Sequence, residues 1–268
     1  MKIKIGYRLS FESSMATPMI LMLSVHPSRV PDLAHPNEIT FDPPIPARSY
    51  DDHFGNICTR IVAPAGQLVI AASNIVTDSG QPDRVEPDAA QLPVEDLPDN
   101  ALEFLLGSRY CETDCLSDTA WSLFGKIAPG WERVKAICDY VHNRLTFSYP
   151  DACSTRTAWE GHDQGLGVCR DFAHLAIALC RCMNIPARYC TGYLGDIGVP
   201  AVPDPMDFSA WFEAYLGGRW YTFDARHNQP RIGRVLMARG RDAADVALST
   251  SFGQNRLTEF KVITEEQF

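Results

Sequence analysis

The sequence has no cluster of lysines or arginines, no apolar stretch of membrane-spanning length, no paired Cys or His ligand motif, and no run of closely spaced carboxylates. Each absence removes a class of function. With 33 acidic against 24 basic residues the formal net charge is −9 and the pI is near 5.2, so a phosphate backbone or an anionic bilayer would meet like charge. Nucleic acid and membrane are therefore not expected partners. The most apolar stretch, residues 19–25, is too short to cross a bilayer, and the Pro, Glu and Ser around it fit neither a signal peptide nor its cleavage site. The expected compartment is the cytoplasm.

Nine cysteines, an odd number, are scattered along a chain far longer than the small secreted domains that depend on disulfides. Most are expected to be buried small hydrophobes. Cys111 and Cys115 form a CxxxC and Cys180 and Cys182 a CxC, but no second pair completes a tetrahedral metal site, and no EF-hand loop is present. Neither metal nor cofactor is expected. At 268 residues and 46% hydrophobic content, the chain can bury a substantial core, and its length suggests one moderate domain with a smaller companion.

The first part reads as β-rich. Residues 2–9, 19–25, 56–62 and 68–76 are short apolar or alternating runs separated by Pro, Asp and Gly clusters, which predicts a small β-sandwich over residues 1–85. Three prolines amid acidic residues mark 86–100 as an exposed linker. From 101 to 268 the pattern is α+β. Val134, Ile137, Cys138, Val141 and Leu145 recur at helical spacing after Pro129-Gly130, and a short helix is expected over 119–125. A further helix starts near Cys169 and stops at Asn184 and Pro186. Strands follow at 187–194, 209–216 and 219–225, the last two joined by Gly217-Gly218 as a tight hairpin.

Cys169 is placed as a reactive thiol should be. A helix N-terminus lowers a thiol pKa through its free N–H groups, and Gly165 and Gly167 leave room for backbone around it. Cys180 and Cys182, inside the same helix, fit a core role better. The segment from Gly167-Val168-Cys169-Arg170-Asp171 through Asn184-Ile185-Pro186-Ala187-Arg188-Tyr189, Ala210-Trp211-Phe212-Glu213 and Trp220-Tyr221-Thr222-Phe223-Asp224 resembles the core of bacterial transglutaminase-like proteins. The resemblance implies a papain/transglutaminase-like fold behind an N-terminal β domain. It implies a cysteine that attacks an amide carbonyl, and a histidine, oriented by an aspartate, that exchanges the proton. Cys169 and Asp224 match two of those three positions.

Where the resemblance places the histidine, immediately before Ala210-Trp211, stands Ser209. A two-residue hairpin pairs Ser209 with Arg226 and Trp211 with Asp224, which puts Ser209 and Asp224 diagonally on one face. His227 is the obvious substitute base, yet strand alternation turns it to the other face unless the strand ends or bulges after Asp224. Asn228 and Pro230 make such an ending reasonable. His174 is rotated away from Cys169 along its helix and reads as structural, and His162 lies in the approach loop. Asp224 is costly to bury without a partner, for which Arg226 and Arg188 are candidates. Trp159, Ser209 and Trp211 are candidates to line a substrate cleft, and Asp171 serves either the helix N-terminus or a substrate.

Two functions remain open from the sequence. One is a cysteine protease, amidase or acyl transferase acting on a peptide or protein. The other is a binding module that keeps the fold and has lost the triad, with Ser209 as the mark of loss. A monomer or a homodimer would suit such a chain.

Overall fold

The computed structural model describes residues 1–201 and 206–267. Six strands open the chain: β1 (Lys2–Ser13), β2 (Thr17–Leu21), β3 (Thr40–Asp42), β4 (Ala47–Asp51), β5 (Ile57–Ala63) and β6 (Gly66–Thr77). Along β1 the residues Ile3, Ile5, Tyr7, Leu9 and Phe11 alternate inward and pack against Met19, Leu21, Ile61 and Ile70. This period of two buries one face of each sheet and makes the sandwich that the sequence pattern predicts. The edge strands β3 and β4, in the Pro-rich stretch after residue 30, are not foreseen from the sequence. They are short and almost wholly exposed, so they carry little hydrophobic signal.

The second part follows with α1 (Asp99–Leu102), α2 (Thr113–Phe124), α3 (Trp131–Arg144), β7 (Thr146–Phe147), α4 (Ala158–Gln164), β8 (Leu166–Gly167) and α5 (Cys169–Cys182). The strands β9 (Ala187–Tyr193), β10 (Ser209–Leu216), β11 (Arg219–Phe223) and β12 (Val235–Gly240) then form one antiparallel sheet in the order β11-β10-β9-β12. The helix α5 is buried on every side: from Asp171 to Cys182 no residue is exposed. A helix of that kind belongs at the centre of a fold. It has α2, α3 and α4 around it and β9 and β10 beneath it. Full burial of Leu175, Ile177 and Leu179 contributes roughly 2 kcal/mol each. The helix expected over 119–125 starts earlier, at Thr113, because Leu116 and Ala120 already face the core.

The chain does not stay in the second part after β12. The strands β13 (Ser249–Ser251) and β14 (Asn255–Gln267) return to the N-terminal sandwich, β13 beside β2 and β14 along the whole of β1. An α+β unit over 101–268 therefore gives up its last segment, residues 249–267, to the β-sandwich. The reason is edge protection: β1 would otherwise present a long unpaired row of N–H and C=O groups. The intervening stretch 86–100 is mostly exposed, yet it is bound to the core. Ala89 O accepts from Trp131 N–H, Gly217 N–H donates to Ala90 O, and Gln91 Nε2 donates to Met183 O. No helix among the described residues is long and apolar enough to cross a membrane.

Candidate active site around Cys169

The turn that precedes α5 is built to present Cys169. Gly165 ends α4 in a left-handed conformation, with φ of 68°. At Gly167 any Cβ would lie 2.6 Å from the Cβ of Asp171, which folds back over it, so this position accepts no side chain. Asp171 Oδ2 accepts the N–H of Val168 at 2.9 Å and caps the helix. The carboxylate is fully buried and is held by Arg156 at 3.3 Å and Arg170 at 3.1 Å. Arg170 in turn donates to the carbonyl of Ser154, tying the loop before α4 to this turn. Asp171 thus serves the helix N-terminus.

The hairpin register is the one that residue counting gives, with Phe212 opposite Phe223 and Leu216 opposite Arg219. The ladder stops at the Phe212–Phe223 pair, two residues short of the expected end. Asp224 lies just beyond it, and the chain turns at once: Asn228 N–H donates to Asp224 O, and Asp224 Oδ1 accepts the N–H groups of Arg226 and His227, both at 3.0 Å. This turn brings His227 back to Asp224, with Nδ1 to Oδ2 at 2.8 Å. Asp224 Oδ2 also accepts from Arg234 Nη2 at 2.9 Å. Burial alone would raise this carboxyl, but Arg234 and His227 outweigh it and hold it well below the ordinary carboxylate range. The partner of Asp224 is therefore Arg234, rather than Arg226 or Arg188. Arg226 lies over the Phe147 ring at 3.8 Å, and Arg188 pairs with Glu213 at 2.6 Å.

Because an ionised carboxylate only accepts hydrogen bonds, neutral His227 carries its proton on Nδ1. That leaves Nε2 as the basic atom. The Cys169 residue is partly exposed, while its sulfur is packed among protein groups, and burial pushes the thiol up to about 11. Arg226 and a hydrogen bond from the Ala210 backbone act against burial, whereas Asp207 and Asp224 act with it. The helix N-terminus adds its own opposition to the burial effect. The contact with the Ala210 backbone places the sulfur at the start of β10. Ser209, the preceding residue, is buried, and its Oγ has no hydrogen-bond partner among the described residues.

The other predicted residues separate. Trp211 is a candidate to line a substrate cleft, but Ala210, Phe212 and Ala214 face the α5 core and alternation turns Trp211 to the side of the sheet away from Cys169. There it lies under Arg234, whose guanidinium carbon is 5.0 Å from the ring centroid. Trp159 is half exposed and stacks on His162 at 6.0 Å, and His162 Nε2 is hydrogen-bonded to Tyr140 Oη at 2.8 Å. His174 is fully buried, accepts the Ala243 N–H on Nε2 and stacks on Tyr110, a structural role. Arg226, Asp207 and Arg234 were missed as site residues. The first lies only two positions past Asp224, but nothing in the sequence shows which way the turn aims it. A pocket of about 110 Å³ borders Asp224, Cys138, Trp131 and Pro230, and Cys169 is not one of its walls. Among the described residues no three His, Cys, Asp or Glu side chains converge as a metal site requires.

Cys169 thus opens the buried helix, and the hairpin beyond it ends at the buried carboxylate of Asp224. Residues 119–225 match the model of the transglutaminase-like superfamily. The crystal structure of a "Putative Cysteine Protease from Cytophaga hutchinsonii" is similar over the whole chain, with 32% identity, a TM-score of 0.84, and coverage of 100% of this chain and 92% of that one. An uncharacterized protein of Mycobacterium leprae is 24% identical over 85% of this chain and 84% of its own. One from Mycobacterium tuberculosis is 29% identical over 78% of this chain and 73% of its own. The chain belongs to the transglutaminase-like superfamily.

Proposed function

We propose that this protein is a cysteine hydrolase or acyl transferase that acts on an amide of a peptide or protein substrate, in the cytoplasm and without a cofactor. The observation that carries the reading is the 2.8 Å hydrogen bond from His227 Nδ1 to Asp224, which leaves Nε2 free to take a proton. In this reading His227 replaces the histidine that Ser209 displaces. Nε2 removes the Cys169 proton as Sγ bonds to the carbonyl carbon, and the imidazolium then protonates the departing amine nitrogen as the C–N bond breaks. Water or an amine cleaves the thioester and returns Cys169. The N–H groups that the first turn of α5 leaves unpaired are the natural donors to the carbonyl oxygen as it gains charge.

The test is iodoacetamide labelling between pH 6 and 10 with site mapping by mass spectrometry. The exposed Cys115 and Cys153 serve as internal references. An imidazole-assisted thiol labels at Cys169 below pH 8, and His227→Ala slows that labelling at least tenfold while the references are unchanged. A Cys169 rate that climbs only as a thiol titrating near 11 would, and that ignores His227→Ala, would sink the reading.

Two observations favour a second reading. The unpartnered Ser209 hydroxyl and the raised Cys169 thiol suit a fold that binds a peptide without cleaving it. That reading requires a peptide affinity unchanged in Cys169→Ala and no acyl thioester on trapping with an activated ester substrate.

A further inference from the structure

On the far side of the core sheet from α5, a cleft of about 300 Å³ opens between the β-sandwich and the second part. The loop after β2 contributes Arg29, the connection after β6 contributes Asp78 and Asp83, and β10 contributes Trp211 and Glu213. Arg231, Arg234 and Arg239 enter from the segment around β12. In a protein of net charge −9, three arginines from residues 231–239, a stretch with no acidic residue, meet Arg29 from the far end of the chain here.

The carboxylates of the cleft are already engaged. Arg29 holds Asp78 at 3.0 Å, Arg234 holds Asp83 at 2.9 Å, and Arg188 holds Glu213 at 2.6 Å. Arg29 and Arg234 also reach Asp32 and Asp224, outside the cleft wall. Cationic donors remain. Arg231 and Arg234 are 3% and 8% exposed, yet Arg231 Nε and Arg234 Nη1 have no hydrogen-bond partner among the described residues. The Arg231 guanidinium lies 3.7 Å from Asp196 Oδ1, and its Nη2 donates to Gly195 O. Arg239 carries no ion pair among the described residues. Burial and then Arg188 make its charged form less favourable, as burial, Arg239 and Arg188 together lower His26 to about 4. Buried guanidinium N–H groups without acceptors are costly, and like charges crowded beside them add to that cost.

We propose that this cleft is a binding site for a small oxyanion, a phosphate or a carboxylate, seated between Arg231, Arg234 and Arg239. A planar guanidinium offers paired N–H groups that match two oxygens of either ligand, and three of them line this one cleft. The site shares only Arg234 with the Asp224 network, and it stands whether or not Cys169 is catalytic.

The experiment is isothermal titration calorimetry of the full chain with inorganic phosphate and, separately, with succinate, at constant ionic strength with chloride as the reference anion. Saturable binding of one of them, with a rise in Tm that grows with the logarithm of its concentration, is expected, and the two arms identify the ligand class. Arg239→Gln and Arg231→Gln should each weaken binding tenfold or more. Absence of binding by both anions beyond the chloride reference overturns the proposal, as does an affinity within twofold of wild type in both variants. Should a variant fail to fold, a crystal of the unmodified protein grown with the binding anion decides. Density between the three guanidinium groups supports the site, and an anion found only elsewhere refutes it.

Discussion

Replacing Arg234 with methionine removes a cation that two carboxylates share. Its side chain is 7% exposed, and those of Asp224 and Asp83 are 2% and 14% exposed, so neither acid regains much solvent when the guanidinium is lost. Breaking a buried pair of this kind costs roughly 3–5 kcal/mol, because the surviving charge is left uncompensated. Asp224 keeps His227 and two backbone N–H groups, which argues for the lower end, about 3 kcal/mol. In a chain of this length that corresponds to a fall in Tm of roughly 6–12 °C. The pH dependence carries a sign. With Arg234 present the folded pKa of Asp224 lies below its unfolded value, so its stabilisation is complete above about pH 4 and is lost as pH falls through the folded value. Without Arg234 burial dominates, the carboxyl rises, and that stabilisation shrinks. The deficit of Arg234→Met should be full at pH 7 and should narrow below about pH 4. Urea denaturation of wild type, Arg234→Met and Arg234→Met/Asp224→Asn at pH 7 and at about pH 3, below the unfolded carboxyl pKa, measures it. A loss below about 1 kcal/mol at pH 7, or a deficit that widens in acid, would refute this account of the buried pair.

Two more outcomes follow from the same packing. Gly167→Ala forces a methyl group to within 2.6 Å of Asp171 Cβ, so it should cost about 1–3 kcal/mol, and it should alter the Cys169 labelling rate while leaving Cys115 and Cys153 unaffected. An unchanged urea midpoint and an unchanged Cys169 rate would show that the turn before α5 relaxes freely. His26 is 3% exposed, and its pKa is lowered from 6.5 to about 4, so the unfolded chain takes up a proton in that window that the folded chain refuses. Stability should therefore decline by on the order of 2 kcal/mol between pH 7 and pH 4. His26→Gln should flatten that part of the profile, and equal slopes in the two proteins would discard the assignment.

How legible this protein is from its sequence depends on whether a feature is local or long-range. The helix at Cys169–Cys182 is announced by the turn before it and by Asn184-Ile185-Pro186 after it. The register of the β10–β11 hairpin follows from Gly217-Gly218, since a two-residue turn leaves one way to pair the flanking strands. The alternation in β1 foretells one face of a sandwich but not its neighbour β14, because pairing across some 250 residues leaves no periodic trace. The same holds at the site. That Asp224 needs a partner is plain from a carboxylate following an apolar strand. That the partner is Arg234, which also holds Asp83, depends on two chain segments packing side by side.

By itself the sequence determined the helix that starts at Cys169, the aspartate that follows an apolar strand at 224, the serine where the resemblance places a histidine, and the α+β class of the core. These are matters of spacing, turn chemistry and residue type within short windows. Tertiary structure alone decided that β11 ends at Phe223, so that a tight turn returns His227 to Asp224. It also decided that Trp211 faces away from the thiol, and that Arg29 joins Arg231, Arg234 and Arg239 in one cleft. Side-chain direction after a strand ends, and the meeting of charges from separate segments, are settled by packing and burial of groups far apart in the chain.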